Sequence, residues 1–279
     1  MSEKTVAGQS IRNWNGKPYH SLDYMLKQTF GEKVYKVTLN GGMSCPNRDG
    51  KLGSRGCIFC SAGGSGDFAA DPAFSITDQI DSQIEMLRAK RPIHKYIAYF
   101  QAYTNTYAPK EYLRKIFSEA IRHPSVVALS IGTRPDCIGD EVLALLDELN
   151  QIKPVWIELG LPGESDADIL ETMDYLNGRD IQGIKLQLLH VLRGTDLADD
   201  YLAGKFHVYE REEYLNLLIE CLEHLAPSIV IHRMTGDGPA DLLIAPLWAS
   251  RKREVLNLLH HEMKIRGNWQ GRQFRHQTV

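Results

Sequence analysis

Apolar positions along the chain recur now every second residue, now every third or fourth, and each change of period marks an element. Residues 34–40, VYKVTLN, alternate β-branched and polar side chains and stop at Gly41-Gly42, which predicts a strand. Ile76, Ile80, Ile84 and Leu87 then recur at helical spacing over 76–90, with Thr77 placed to cap the start. The run KYIAYFQ, 95–101, has strand length; residues 111–123 read as a helix, VVALSIGT, 126–133, as a strand, and GDEVLALLDELNQ as a further helix. VWIELGL, 155–161, is a fourth strand, followed by a helix that Ser165 caps and that ends near Asn177. Residues 183–192 and 229–236 predict two more strands, RGTDLADDYLAGKF a loop, and residues 211–225 and REVLNLLHHEMKIRG two more helices. Strands alternating with helices of this length predict an α/β fold with a parallel sheet and right-handed crossovers, whose ligands belong at the C-terminal strand ends.

Length and composition narrow this picture. With 279 residues, 43% of them hydrophobic, the chain can bury one sizeable core in a single barrel-like domain. Residues 1–33, with a short helix over 21–29, read as an arm covering that domain. A net charge of −3 and a pI near 6.4 exclude a global nucleic-acid signature. The first twenty residues lack the apolar core of a secretory signal, and no later run has membrane-spanning length. The expectation is a cytoplasmic protein, not bound to a membrane, in a reducing compartment that keeps thiols free.

The candidate chemistry lies in the glycine-rich stretch 41–68, which holds three of the five cysteines, Cys45, Cys57 and Cys60. A C-x11-C-x2-C spacing lets the last two thiolates reach one metal centre from a tight turn while the long excursion returns the first. A disulfide is disfavoured, because Cys137 and Cys221 lie far away in other elements. A structural zinc site wants a fourth ligand that no second C-x-x-C or H-x3-H supplies. On spacing alone an iron–sulfur cluster, zinc and unliganded thiols all remain open.

A strand leading into a loop with three cysteines, the last pair as C-x-aromatic-C, resembles the cluster loop of the radical S-adenosylmethionine (radical SAM) enzymes. More narrowly, CPNRDG, RGCIFC, YFQAYTNTYAP, LSIGTRPDC, GIKLQLLHV, HRMTGDGP and APLW resemble in order the YhcC-like group, relatives of the Elongator catalytic subunit. The resemblance implies a partial (β/α) barrel core over 34–236 and a C-terminal extension over 237–279. It implies a [4Fe-4S] cluster on Cys45, Cys57 and Cys60, whose fourth iron is chelated by S-adenosylmethionine. It implies an enzyme that cleaves this cofactor reductively to a 5'-deoxyadenosyl radical, with a flavodoxin or ferredoxin as electron donor. Phe59 would lie near the adenine. In place of the Gly-Gly-Glu common after the second strand, Gln101 and Asn105 stand as carbonyl acceptors for the amino group of the cofactor, and Arg134 can pair its carboxylate. Amides that cap turns and an Arg134 held in a structural ion pair are the alternative.

The family pattern breaks at 155–164. Relatives carry a strand ending like IELGL and, later, a separate strand ending in GLPGE; this chain joins the first directly to the second. One strand–helix unit of roughly forty residues is missing, leaving the barrel a unit short of the family's six. Gly160, Pro162, Gly163 and Glu164 still resemble the adenine-side motif. An incomplete cofactor site, in a non-catalytic iron–sulfur or zinc-binding protein, is the alternative function.

Lys185, on the strand over 183–192, and His232, Arg233 and Asp237, clustered in the polar turn around the end of the last strand, are candidate substrate contacts, with a purely structural loop the alternative for the last three, and His190 reads as a core histidine. Between Arg251 and Arg275 the basic residues outnumber the acidic, with Trp269 and Phe274 interleaved. Such a run fits an RNA contact or a solvated helix face. The substrate itself is not written in the sequence.

Overall fold

The computed structural model describes residues 4–6, 9–11, 13–64, 66–88, 93–159, 166–236 and 238–274. They form two compact units, Phe30–Leu161 and Met1–Thr29 with Pro162–Val279. In chain order, a small antiparallel hairpin of β1 (Lys4–Val6) and β2 (Gln9–Ile11) precedes helix α1 (Leu22–Phe30).

The Phe30–Leu161 unit is built from β3 (Val34–Leu39), α2 (Ile76–Arg88), β4 (Lys95–Phe100), α3 (Lys110–Arg122), β5 (Val126–Thr133), α4 (Asp140–Asn150) and β6 (Val155–Leu159). Its four strands pair in parallel in the order β3-β4-β5-β6, as the strand–helix alternation predicts. One face carries Val37, Leu39, Ala98, Phe100, Leu129 and Ile131 against the apolar stripes of the three helices, where Phe100 meets Phe117 edge to face at 5.0 Å. β4 is buried on both faces, which is why it reads as a continuous apolar run.

The free edge of β3 is closed by a device of α2. Gln79 exchanges hydrogen bonds with Asn40 (N–H to Oε1 and Nε2 to O, both 3.0 Å), and Gln83 does the same with Thr38 (2.7 and 2.5 Å). Four helical residues rise about 6 Å and two strand residues about 6.6 Å, so glutamines at i and i+4 match backbone groups at i and i+2. The helix thereby satisfies an edge that would otherwise invite pairing. The cap of α2 is Ser75, whose Oγ accepts from Asp78 N–H at 3.1 Å; Thr77, the residue expected there, instead bonds Glu119 at 2.8 and 2.9 Å.

The other face holds Lys36, Thr38, Ile97, Tyr99, Ser130, Trp156 and Glu158. Lys36 Nζ lies 2.5 Å from Glu158 Oε1, yet these residues stand on the two edge strands. By register, a flat sheet would separate them by three strand spacings, about 14 Å, and four residues along the strands, about 13 Å. The contact therefore requires the sheet to coil with this face concave, the curvature of a barrel wall.

The other unit continues with α5 (Asp166–Asn177), β7 (Gly183–Lys185), β8 (Val191–Leu192), α6 (Asp196–Leu202), α7 (Arg211–His224), β9 (Val230–Arg233), β10 (Leu243–Ala245) and α8 (Lys252–Arg266). β7 and β9 pair in parallel, β8 and β10 antiparallel. The single strand expected over 183–192 is thus two short ones in different sheets. Tyr214, on α7, explains the break: its buried hydroxyl donates to the carbonyls of Leu186 (3.2 Å) and Met234 (2.8 Å), so backbone groups just beyond β7 and β9 bond to a side chain. The loop expected over 193–206 contains α6, a helix of two turns that Thr195 caps by accepting from Ala198 N–H at 3.2 Å. Ser165 lies outside the described residues. No described helix is long and apolar enough to cross a membrane.

Gln270, fully buried, ties the N- and C-terminal segments of this unit together: it donates to the carbonyls of Ala226 and Ile229 and accepts from His20 N–H, each at 2.8 Å. Nearby, Tyr19 Oη lies 3.0 Å from His260 Nε2. Burial pushes the Tyr19 hydroxyl up and both His20 and His260 down, His260 also by the charge of Lys17. Both shifts favour the neutral imidazole. An imidazole whose folded pKa is depressed takes up its proton more readily unfolded, so stability falls as pH drops through the ordinary imidazole range and levels off below the folded values. Urea midpoints are expected to decline from about pH 7 toward pH 5, and His260→Gln to flatten that decline. An unchanged slope in His260→Gln would remove this assignment.

Candidate metal and cofactor site

The cysteine loop leaves β3 at its C-terminal end and is pinned where it returns. Thr38 Oγ1 donates to Phe68 O at 2.7 Å and Ala70 N–H donates to Thr38 O at 3.1 Å. Cys45 is buried, Cys57 and Cys60 are half-buried, and none of the three is in a disulfide. A turn follows Cys45, whose carbonyl accepts from Arg48 N–H at 2.8 Å; a second joins the other two, Cys60 N–H donating to Cys57 O at 3.0 Å. Asn47 Nδ2 donates to Cys57 Sγ at 3.1 Å. Among the described residues no three His, Cys, Asp or Glu side chains stand close enough together to hold one metal ion. The loop supplies the donors without a preassembled cage.

The segments after β4 and β5 border this loop, as the strand-end rule predicts. Thr104 N–H donates to Ser44 O at 3.2 Å, next to Cys45. Asn105 is fully buried; its Nδ2 and backbone N–H both donate to Gly132 O (2.8 and 3.2 Å), and its Oδ1 has no hydrogen-bond partner. A buried acceptor left unpaired costs on the order of 1–3 kcal/mol, and such a cost is commonly met where a ligand supplies the missing donor. Gln101 is half-buried at the end of β4, its N–H donating to Leu39 O at 3.3 Å. Thr106 Oγ1 binds both Thr133 Oγ1 and Cys137 O at 2.6 Å, tying the two segments together.

Arg134 follows β5, and its planar fork is engaged: Nε and Nη2 donate to the two oxygens of Asp136 at 2.8 and 2.7 Å. That pairing holds the guanidinium pKa up and the Asp136 carboxylate down. Burial, then the charge of Asp136, pushes the Cys137 thiol up. Tyr107 is raised chiefly by its hydrogen bond to Asp49, which is itself lowered first by the Lys51 N–H. Phe59 is half-buried inside the Cys57–Cys60 turn.

Gly160, Pro162, Gly163, Glu164 and Asp237 lie outside the described residues. Lys185, His232 and Arg233 belong to the other unit. Lys185 and Arg233 are register partners on β7 and β9, and the His232 ring packs so closely on Gly183 that a Cβ there would lie 2.5 Å from Nε2. The His190 ring packs on Gly236. In the basic run of this unit, Arg266 pairs with Glu262 at 2.9 Å and Arg272 with the buried Glu223 at 3.1 Å, while Trp269 is itself buried. Sequence reasoning passed over Asn47, Arg48 and Tyr103. For Asn47 and Arg48 the one signal is proximity to Cys45, and for Tyr103 its place after β4, since the contacts they make are fixed by backbone conformation.

Comparison with known proteins agrees with this architecture. The Radical_SAM C-terminal domain matches residues 181–265. YtqA of Bacillus subtilis is 39% identical over 300 aligned positions, covering 92% of this chain and 93% of YtqA. YhcC of Escherichia coli K12 is 35% identical over 81% of this chain and 86% of its own. The 300 positions aligned with YtqA exceed what this chain contributes, 92% of 279 residues, by some forty, a number that matches the size of the strand–helix unit expected to be absent. In structure, the Methanocaldococcus infernus Elp3 with its N-terminus deleted aligns with a TM-score of 0.57 at 16% identity, over 85% of this chain. The chain spans 64% of that Elp3 structure. With this level of identity to YtqA and YhcC across most of both proteins, and with the Elp3-like α/β fold beneath it, the chain belongs to the YhcC-like group of the radical SAM family.

Proposed function

We propose that this protein is a radical SAM enzyme that binds a [4Fe-4S] cluster on Cys45, Cys57 and Cys60 and S-adenosylmethionine beside it. The observation that carries the reading is that three cysteines outside any disulfide share one strand-end loop, which Thr104 N–H binds at Ser44 O, and that the next residue, Asn105, keeps an unpaired buried acceptor. The donor chemistry fits: three thiolates leave one corner of a cubane open, and an amide donating to Cys57 Sγ is the kind of contact that tunes such sulfurs. When bound and reduced, the cluster and its cofactor supply the electron and the carbon–sulfur cleavage that yield a 5'-deoxyadenosyl radical. A flavodoxin or ferredoxin fits the role of donor.

The protein's own contribution is placement. Asn105 Oδ1, held by the bonds of its Nδ2 and backbone to Gly132, is an acceptor suited to the amino group of the cofactor. Phe59, within the cysteine turn, is suited to cover the adenine and to keep water away. Arg134 can turn its fork from Asp136 to a carboxylate only by giving up both bonds, so its role depends on that exchange.

Anaerobically reconstituted protein with a strong reductant is expected to release 5'-deoxyadenosine from S-adenosylmethionine, and Asn105→Leu to weaken cofactor binding by about tenfold. A fully loaded cluster that forms no 5'-deoxyadenosine, even uncoupled from substrate, would overturn the reading. The shortfall of some forty positions favours a second one, a non-catalytic iron–sulfur or zinc-binding protein with an incomplete cofactor site. It calls for metal uptake without affinity for S-adenosylmethionine, and calorimetry showing tight binding would exclude it.

A further inference from the structure

Tyr103 has φ of +60°, one of two non-glycine residues in the left-handed region among those described. A left-handed backbone costs an aromatic residue and persists only where its surroundings hold it. Here the surroundings are the segment directly after Cys60. Tyr103 N–H donates to Gly64 O at 2.9 Å, and its hydroxyl donates to Ala62 O at 3.0 Å, so one residue grips that segment by backbone and side chain together. Gly64, itself at φ +59°, lies so close beneath the ring that a Cβ would stand 2.3 Å from a ring carbon.

Arg48 grips the same stretch from within the loop. Its Nη2 donates to Ser61 O at 2.5 Å, with longer contacts of 3.4 Å to the carbonyls of Cys60 and Ala62, and its guanidinium lies 5.6 Å from the centre of the Tyr103 ring. A Cβ at Gly56 would come within 2.8 Å of Arg48, so the residue before Cys57 also has to be small. Arg48 is anchored in turn by its own N–H to Cys45 O. The two side chains thus link Cys45, the Cys57–Cys60 turn and the segment after β4 into one network.

We propose that Tyr103 and Arg48 are positioning residues for the cysteine loop: together they hold the backbone carbonyls from Cys60 to Gly64 so that the Cys60 thiol is presented with those of Cys45 and Cys57. The inference rests on the reading of this loop as a cluster site, but its first test does not need the cluster. In anaerobic apo-protein, the alkylation rates of individual cysteines by iodoacetamide are read by mass spectrometry. Tyr103→Gly accepts the left-handed backbone without strain and loses the ring, so it is expected to fold with an unchanged or higher Tm. Its Cys60 is expected to react at least about fivefold faster than in the parent, and Arg48→Gln to act in the same direction, while Cys221 in the other unit is unaffected. Tyr103→Phe, which keeps ring and backbone, should recover most of the protection.

Gly64→Ala supplies the converse. Opposite the intact ring it should loosen Cys60, whereas in the Tyr103→Gly background it adds only its own backbone strain, so the two changes are not additive. After reconstitution, Tyr103→Gly is expected to hold less iron per chain and to show a shifted electron paramagnetic resonance signature relative to the parent. Unchanged alkylation of Cys57 and Cys60 in Tyr103→Gly and Arg48→Gln would overturn the proposal, as would, where the parent loads iron, an identical iron content and spectrum in Tyr103→Gly. If the variants loosen Cys60 but not even the parent takes up iron, the clamp stands and the enzymatic reading falls.

Discussion

Reconstituted Cys57→Ala protein is expected to hold less than about a tenth of the parent's iron and to form no 5'-deoxyadenosine. A cubane held by three thiolates loses a corner when one is removed, and the loop has no fourth cysteine to replace it, while the Met43 side chain is committed to the apolar core. Cys137 is the one other cysteine in this unit, and its thiol is pushed up by burial and by Asp136, away from thiolate. Cys221 is buried in the core of the other unit against α7 and α8 neighbours such as Leu218 and Leu259. Cys45→Ala and Cys60→Ala should behave like Cys57→Ala, while Cys137→Ala and Cys221→Ala should load normally. The fold should survive each loop substitution, because none of the three cysteines belongs to the apolar core packed between the sheet and helices α2, α3 and α4. Iron and sulfide content per chain, with circular dichroism as the folding control, decides the matter. A triple alanine variant that still holds parental iron would place the metal elsewhere.

The strand–helix alternation was legible because it is written in local period: β3 to α4 each carry a run or stripe that a single face of the sheet or helix demands. What escaped reading was set by contacts distant in sequence. Gln79 sits on the buried face of α2 between Ile76 and Ile80, a polar residue in an apolar stripe, and that misfit was the one available sign that it bonds the edge of β3. The strand expected over 183–192 reads as continuous because its apolar residues alternate, yet Tyr214, reaching in from α7, takes the carbonyl of Leu186. Within the site the cysteines were plain from spacing, and Asn105 from its place after β4. Tyr103 was not, since nothing in the residue type announces a left-handed backbone. Nor was the engagement of Arg134, whose partner two residues on is a matter of rotamer rather than pattern.

Glu158→Ala is expected to destabilise the Phe30–Leu161 unit by about 2–3 kcal/mol, a large fraction of a typical domain's stability. Glu158 accepts on one oxygen from both Lys36 Nζ (2.5 Å) and Ser130 Oγ (2.8 Å), and the Lys36 ammonium stands 4.1 Å above the Tyr99 ring. With side-chain exposures of 21% for Lys36 and 11% for Glu158, the pair is too buried for water to replace a missing partner at low cost. Alanine therefore leaves a half-buried ammonium over an aromatic ring and an unpaired hydroxyl beside it. It also removes a contact that bridges the two edge strands across the concave face. The loss should consequently appear locally, as faster hydrogen exchange in peptides covering β5 and β6, while α7 and α8 keep their protection. Two further variants separate charge from geometry. Glu158→Gln keeps a hydrogen-bonding group of the same shape and should cost about 1 kcal/mol. Lys36→Met with Glu158→Leu removes both charges together and should recover much of the alanine deficit, because apolar residues of similar volume often replace a buried pair without loss. If Glu158→Ala shifts the urea midpoint no more than a surface substitution does, the pair is a passenger on a sheet curved by other forces. If the double variant is as unstable as Glu158→Ala, the ionic contact itself sets the curvature, and the coiling of this four-stranded sheet depends on a charge pair rather than on the packing of its helices.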